Sequence, residues 1–243
     1  NITMQDVATK VGIDKVDEDG KPLSGAVLQL LDAAGTEVEQ WTTDGTTHRI
    51  DAVLTAGAEY TLHEVSAPDG YCVAADQKFT VNADGSLTSV KLTDVSTKVQ
   101  ISKTTITGDT ELEGAKLEVR DLSGNALDSW TSGKEAHMIT AKLTAGQTYV
   151  LHETAAPNGY VVSNDIEFTV NADGTVTKVI MKDDTTKVEI SKKAENGLPL
   201  SGAKMQLLDK DGKEVDAWTT DGKAHTLTAK LTAGATYTLH EVS

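Results

Sequence analysis

The chain repeats itself at the scale of a whole domain. Trp41, Trp130 and Trp218 stand 89 and 88 residues apart, and Glu64, Glu153 and Glu241 keep the same two intervals. Lys15, Lys103 and Lys192 recur at intervals of 88 and 89. Solenoids repeat every 20–50 residues or so. A period this long instead gives each unit the length to fold around its own core. The chain therefore reads as a tandem array, and one architecture must serve every unit.

Within a unit the pattern is that of short strands. Each opens on an alternating segment: Val11-Gly12-Ile13-Asp14-Lys15, Val99-Gln100-Ile101-Ser102-Lys103, Val188-Glu189-Ile190-Ser191-Lys192. Gly35, Gly124 and Gly212 mark hairpin turns. The Trp strand of the first unit runs to about Asp44-Gly45, and a further strand is predicted from about His48 to Leu54. A Tyr-x-Leu-His-Glu strand follows (Tyr60–Glu64, Tyr149–Glu153, Tyr237–Glu241). The first two units close on Val90-Lys91-Leu92-Thr93-Asp94 and Val179-Ile180-Met181-Lys182-Asp183. No helical period of useful length is present. The fold class is all-β: tandem antiparallel β-sandwich domains of immunoglobulin-like or prealbumin-like type.

The repeat intervals set the domain limits. Residues 9–95 and 97–184 are complete repeats, and 186–243 is an incomplete third that lacks everything matching Ala67 to Asp94. Residues 1–6 match a closing strand, with Asp6 nine residues before Lys15, as Asp94 lies nine before Lys103. They read as the last strand of a preceding domain, so the sequence reads as a window on a longer array.

Alternation gives these strands their chemistry. Side chains of a strand point to opposite faces in turn. Glu64 therefore shares a face with Tyr60 and Leu62, Lys15 with Val11 and Ile13, and Asp94 with Val90 and Leu92. The second repeat places Lys103, Glu153 and Asp183 alike. Asp183 rather than Asp184 has the parity of Val179 and Met181, and it lies nine residues before Lys192. Three ionisable groups per repeat thus face the core, where charge is tolerated only when paired. If the first and last strands are neighbours, lysine and aspartate meet with glutamate beside them. Two outcomes are open. One is a buried salt bridge. In the other, burial favours a neutral amine and a neutral carboxyl, and the amine attacks as a nucleophile while glutamate moves protons. Loss of water would then leave an amide. That is a single self-crosslinking event, not enzymatic turnover.

Composition excludes some partners. With 37 acidic and 22 basic residues the net charge is −15, the wrong sign for nucleic acid or an anionic membrane surface. No apolar run reaches the ~20 residues of a membrane span, so membrane insertion is not expected. One cysteine, Cys72, permits no disulfide within the chain. The histidines recur in pairs (His48/His63, His137/His152, His225/His240), but no third ligand recurs with them, so no metal and no cofactor is expected. Asp209-Lys210-Asp211-Gly212 opens like a calcium loop without its closing glutamate and reads as a hairpin turn. The tryptophans read as packing residues.

The combination of Val-x-Ile-x-Lys, Pro-Leu-Ser-Gly-Ala-x-Leu-x-Leu (Pro22–Leu30), Tyr-x-Leu-x-Glu-x-x-Ala-Pro-x-Gly-Tyr (Tyr60–Tyr71, Tyr149–Tyr160) and an apolar closing strand with aspartate resembles the Cna protein B-type domain of Gram-positive surface adhesins and pilins. The resemblance spans nearly the whole chain. It implies a prealbumin-like sandwich with an intramolecular isopeptide bond: Lys15 to Asp94 with Glu64 catalytic, and Lys103 to Asp183 with Glu153 catalytic. Lys192 and Glu241 match the amine and the glutamate of a third site, and Asp6 the aspartate of another, so these are unpaired halves of neighbouring domains. The implied role is structural, a stalk or fibre segment at the extracellular cell surface or cell wall, with neighbouring repeats as partners. The alternative is a set of repeats that bind a host matrix protein or glycan, and a hydrolase accessory domain stands further off.

Overall fold

The structure, a computed structural model, describes residues 8–242. The closing strand expected at residues 1–6, with Asp6, lies outside the described residues. The first repeat holds β1 (Lys10–Asp17), β2 (Ser24–Leu31), β3 (Glu37–Asp44), β4 (His48–Arg49), β5 (Glu59–Ser66), β6 (Tyr71–Cys72), β7 (Gln77–Thr80) and β8 (Leu87–Ser96). The second holds β9 (Lys98–Thr105), β10 (Lys116–Arg120), β11 (Ala126–Thr131), β12 (His137–Met138), β13 (Thr148–Ala155), β14 (Ile166–Thr169) and β15 (Val176–Asp183). The third holds β16 (Glu189–Ile190), β17 (Ser201–Leu208), β18 (Glu214–Asp221), β19 (His225–Thr226) and β20 (Thr238–Glu241). No helix occurs among the described residues, and the fold is the expected all-β sandwich.

Each complete repeat is two sheets face to face. In the first, one sheet runs β4-β1-β8-β6 and the other β3-β2-β5-β7. Val11, Ile13, Val90 and Leu92 of the first sheet and Leu28, Leu30 and Leu62 of the second form one buried cluster between them. The second repeat has β12-β9-β15 and β11-β10-β13-β14. β8 as far as Val95 and β15 throughout alternate between exposed and buried residues, as a strand with one wet face must.

One ladder departs from the antiparallel expectation. β1 and β8 run parallel, with Lys15 opposite Leu92 and Asp17 opposite Asp94. Hairpins join neighbours in sequence and force antiparallel pairing, whereas the first and last strands are linked only through the rest of the domain. The strand expected over His48–Leu54 is also shorter, only His48–Arg49. Beyond it, the Asp51 and Ala52 N–H groups donate to Glu39 Oε2 at 3.1 and 3.3 Å. A side chain thus takes the place of a strand partner.

By contact density the chain forms two compact units. One comprises residues up to Gln100 with Met138–Tyr149 and Glu167–Lys178. The other comprises Ile101–His137, Val150–Ile166 and Val179 onward. Inside the first unit, Gly70 adopts a φ of +87°, and a Cβ there would lie 3.0 Å from Lys142 Cβ and Cγ. Thr97 N–H donates to Gly70 O at 2.8 Å, and its hydroxyl donates to Leu143 O at 2.8 Å. The second unit repeats this join: Gly159 has a φ of +90° with its missing Cβ against Lys230. There Thr186 donates to Gly159 O at 2.9 Å and to Leu231 O at 3.1 Å. The glycine of Ala-Pro-x-Gly-Tyr is thus required twice over, by backbone conformation and by the side chain against it.

Candidate functional site

The three groups singled out in each complete repeat come together. β1 carries Lys15 inward and the parallel β8 brings Asp94 to it one step diagonally along the ladder, while β5, from the facing sheet, brings Glu64. Lys15 Nζ donates to Asp94 Oδ1 and lies 2.9 Å from Glu64 Oε1. Lys15 and Glu64 side chains are 1% and 0% exposed. In the second repeat Lys103 Nζ donates to Asp183 Oδ1 and lies 3.1 Å from Glu153 Oε2. Asp183 is fully buried, while Asp184 is partly exposed and pairs with Lys187. The long lysine stems lie along the core and place their amines deep within it.

The carboxyls are poorly served for charged groups. Glu64 Oε2 accepts from Ala74 N–H at 2.6 Å, and Glu153 Oε2 from Ser163 N–H at 2.7 Å. Glu64 Oε1, Asp94 Oδ2, Glu153 Oε1 and Asp183 Oδ2 have no hydrogen-bond partner. Glu64 Oε1 is within ion-pair distance of the amine. A buried acceptor without a donor costs about 1–3 kcal/mol, and in repeat 1 a proton held between Asp94 and Glu64 lessens that cost. Burial pushes the Asp94 carboxyl up to about 7, opposed by the hydrogen bond from Lys15 and reinforced by Glu64. Burial also raises Glu153, against the Ser163 N–H and Lys103, with Asp183 adding to the rise. Proton-holding carboxyls next to an amine in a dry pocket are the ingredients of amide condensation.

The third repeat brings together only two of the groups. Lys192 Nζ and Glu241 Oε2 lie 2.6 Å apart, with side chains 29% and 43% exposed. The pair lines a surface pocket with Ile190, Met205 and Trp218.

Tryptophan and histidine, read separately in the sequence, are one feature. His48, His137 and His225 stack on Trp41, Trp130 and Trp218 with centroids 4.2, 4.3 and 4.3 Å apart. His48 Nε2 also meets Glu39 Oε1 at 2.6 Å. His63 and His152 face outward, paired through Nδ1 with Asp76 and Asp165 at 2.7 and 2.6 Å. Among the described residues no group of three or more candidate ligands could hold a metal ion. Cys72 is buried, and burial raises its thiol pKa. Asp209 Oδ1 caps its turn, accepting from Asp211 and Lys213 N–H at 2.9 Å each. Sequence reasoning missed Ala74 and Ser163, which act through a backbone N–H that the sequence does not mark and differ by one hydroxyl.

The sequence matches the SpaA prealbumin-like fold domain three times in tandem, over residues 9–96, 97–185 and 186–243. The chain belongs to the SpaA prealbumin-like fold domain family. Among solved structures this SpaA-type array is similar to the Bacillus anthracis TIE protein, at 24% identity over 98% of this chain and 46% of that one, TM-score 0.49. It is similar to a streptococcal ancillary pilin, at 24% identity over 75% of this chain and 64% of that one, TM-score 0.37. It is similar to the shaft pilin SpaA from Lactobacillus rhamnosus GG, at 17% identity over 74% and 98%, TM-score 0.33. The chain thus spans less than half the length of the first and under two thirds of the second. No curated protein matches the sequence.

Proposed function

We propose that this SpaA-type chain is a load-bearing segment of a stalk or fibre at the extracellular surface of a Gram-positive bacterium. Each complete repeat closes itself with an amide, Lys15 to Asp94 and Lys103 to Asp183. Glu64 and Glu153 act as the catalytic proton carriers, and no substrate is turned over. Lys192, Glu241 and Asp6 are partial sites of further repeats, and the partners are neighbouring repeats of the same fibre. No described helix is long and apolar enough to cross a membrane.

One observation carries this reading: each complete repeat seals an amine against two carboxyls that keep an oxygen without a donor. Condensation turns one of those oxygens into water and converts the amine and acid into a neutral amide, which belongs in a core. A salt bridge would leave the bare oxygens in place. The parallel ladder supports the mechanical part. The start of β1 and the end of β8 lie at opposite ends of the ladder, so pulling the chain shears it. An amide at Lys15–Asp94 then takes the load and spares the loop it closes, whose ends stand 79 positions apart. The joins at Gly70 and Gly159 also favour a spacer over a freely jointed string.

Stretching single chains tests this. Repeats 1 and 2 are expected to release no length, whereas a Glu64→Ala repeat releases a loop of roughly 270 Å at full extension. Release of that length by the wild-type repeats would overturn the load-bearing reading.

A further inference from the structure

We propose that the Ser163 hydroxyl is the oxyanion donor of the second repeat's condensation, so that repeats 1 and 2 close at different rates. The proposal rests on the condensation reading above. The two complete sites differ in the residue that holds the glutamate. In repeat 1 the residue whose N–H holds the glutamate is Ala74, with only a methyl group. In repeat 2 it is Ser163, whose N–H holds Glu153 Oε2 at 2.7 Å. Its hydroxyl lies 2.7 Å from Asp183 Oδ1 and 2.6 Å from Lys182 O. A single residue therefore ties both carboxyls of the site, and it touches the oxygen to which Lys103 also donates.

A serine hydroxyl has one hydrogen, and two acceptors compete for it here. In the resting site the Lys182 carbonyl shares it. As Lys103 Nζ attacks Asp183 Cγ, negative charge grows on Oδ1 and draws the hydrogen to that side. A preset donor aimed at developing charge in a dry site is the device that lowers such barriers most. Oδ2 has no donor and is the poorer place for charge, so Oδ2 departs. The Nζ–Cγ bond forms and the Cγ–Oδ2 bond breaks. The two protons lost by the ammonium leave on Oδ2 as water, carried one at a time by Glu153. Oδ1 stays as the amide oxygen and keeps the Ser163 hydrogen bond. Nothing outside the site is consumed. No side-chain hydroxyl occupies the corresponding place in repeat 1.

The test uses the full chain made by cell-free synthesis, quenched in acid at intervals and digested. Mass spectrometry follows the Lys15–Asp94 and Lys103–Asp183 linked peptides from the same molecules, so repeat 1 serves as the clock for repeat 2. Repeat 2 is expected to close first. Ser163→Ala should slow repeat 2 by about 100-fold, the lower end for loss of one oxyanion donor because Lys182 O shares the hydrogen, and leave repeat 1 unchanged. Ser163→Thr, which keeps the hydroxyl while adding bulk, should recover most of the rate, a result that a packing role would not give. Ala74→Ser should speed repeat 1, and that arm does not depend on how repeat 2 tolerates substitution. Linked peptides forming in both repeats at a ratio unmoved by Ser163→Ala would overturn the Ser163 role and leave the condensation standing. No linked peptide in either wild-type repeat would overturn both.

Discussion

Leu62 and Leu239 hold the same place in the same Tyr-Thr-Leu-His-Glu strand, yet Leu62 is 0% exposed and Leu239 46%. Glu64 and Glu241 differ in the same way. The opening strand changes too, from eight residues in β1 to two in β16. The local sequence is the same, so the difference lies in what stands beside it. Repeat 1 continues past that strand: β7 pairs with β5 beside Leu62, the Ala74 N–H holds Glu64, and β8 lies parallel to β1 along its whole length. The third repeat has none of these partners beside it in this sequence. The segment from Ala67 to Ser96 therefore does more than supply the aspartate. It encloses the dry pocket in which an amine and a carboxyl can react, and without it the same two side chains make an ordinary surface ion pair.

The comparison breaks most visibly if the buried pair in repeat 1 is left without its aspartate. Asp94→Ala removes the crosslink, worth about 4.5 kcal/mol of loop closure by analogy with disulfides. It also leaves Lys15 and Glu64 as a buried ion pair in place of a neutral amide, so the cost exceeds that of the crosslink alone. Glu241→Ala in repeat 3 should cost under about 1 kcal/mol, as an exposed pair does. Denaturant unfolding with hydrogen exchange read repeat by repeat measures both. Equal costs in the two repeats would refute the enclosing role of the Ala67–Ser96 segment.

Completing repeat 3 tests the converse. Adding the sequence of Ala67–Ser96 after Ser243 should lengthen the Lys192 strand, bury Leu239 and produce a third crosslink, seen as a further loss of roughly 18 Da. A smaller effect is expected from pH. In the folded, unreacted repeat 1, Asp94 keeps its proton up to about pH 7, and that proton leaves with the departing water. Closure of repeat 1 should therefore slow as the pH rises past about 7, by about tenfold per unit once Asp94 is ionised. A rate that rises through pH 7 would contradict this protonation order. Smallest is the feature all three repeats share: His48→Ala and His225→Ala should each cost about 0.5–1.5 kcal/mol through the lost stack on tryptophan, with no difference between complete and incomplete repeats.

Much of this was legible in the residues. The repeat period gave the array, and parity alone placed Lys15, Glu64, Asp94 and their counterparts on inward faces, because a half-buried strand records its buried side every second residue. The choice of Asp183 over Asp184 came from parity and repeat spacing. What alternation cannot show is partnership between strands far apart in sequence. The parallel sense of β1 and β8, and with it the shear geometry, depends on the path of the whole domain. The strand from His48 was drawn too long, to Leu54, because Glu39, a side chain from another strand, satisfies the backbone beyond Arg49. Ser163 escaped because its role depends on reaching across to β15, which its neighbours in sequence do not disclose.

Intact mass of the unmodified 243-residue chain tests the central claim most directly. Two condensations predict a mass below that of the sequence by two waters, roughly 36 Da. The Glu64→Ala, Glu153→Ala double variant should show the full mass of its own sequence. A wild-type chain at full sequence mass would contradict the account and leave two buried salt bridges in its place.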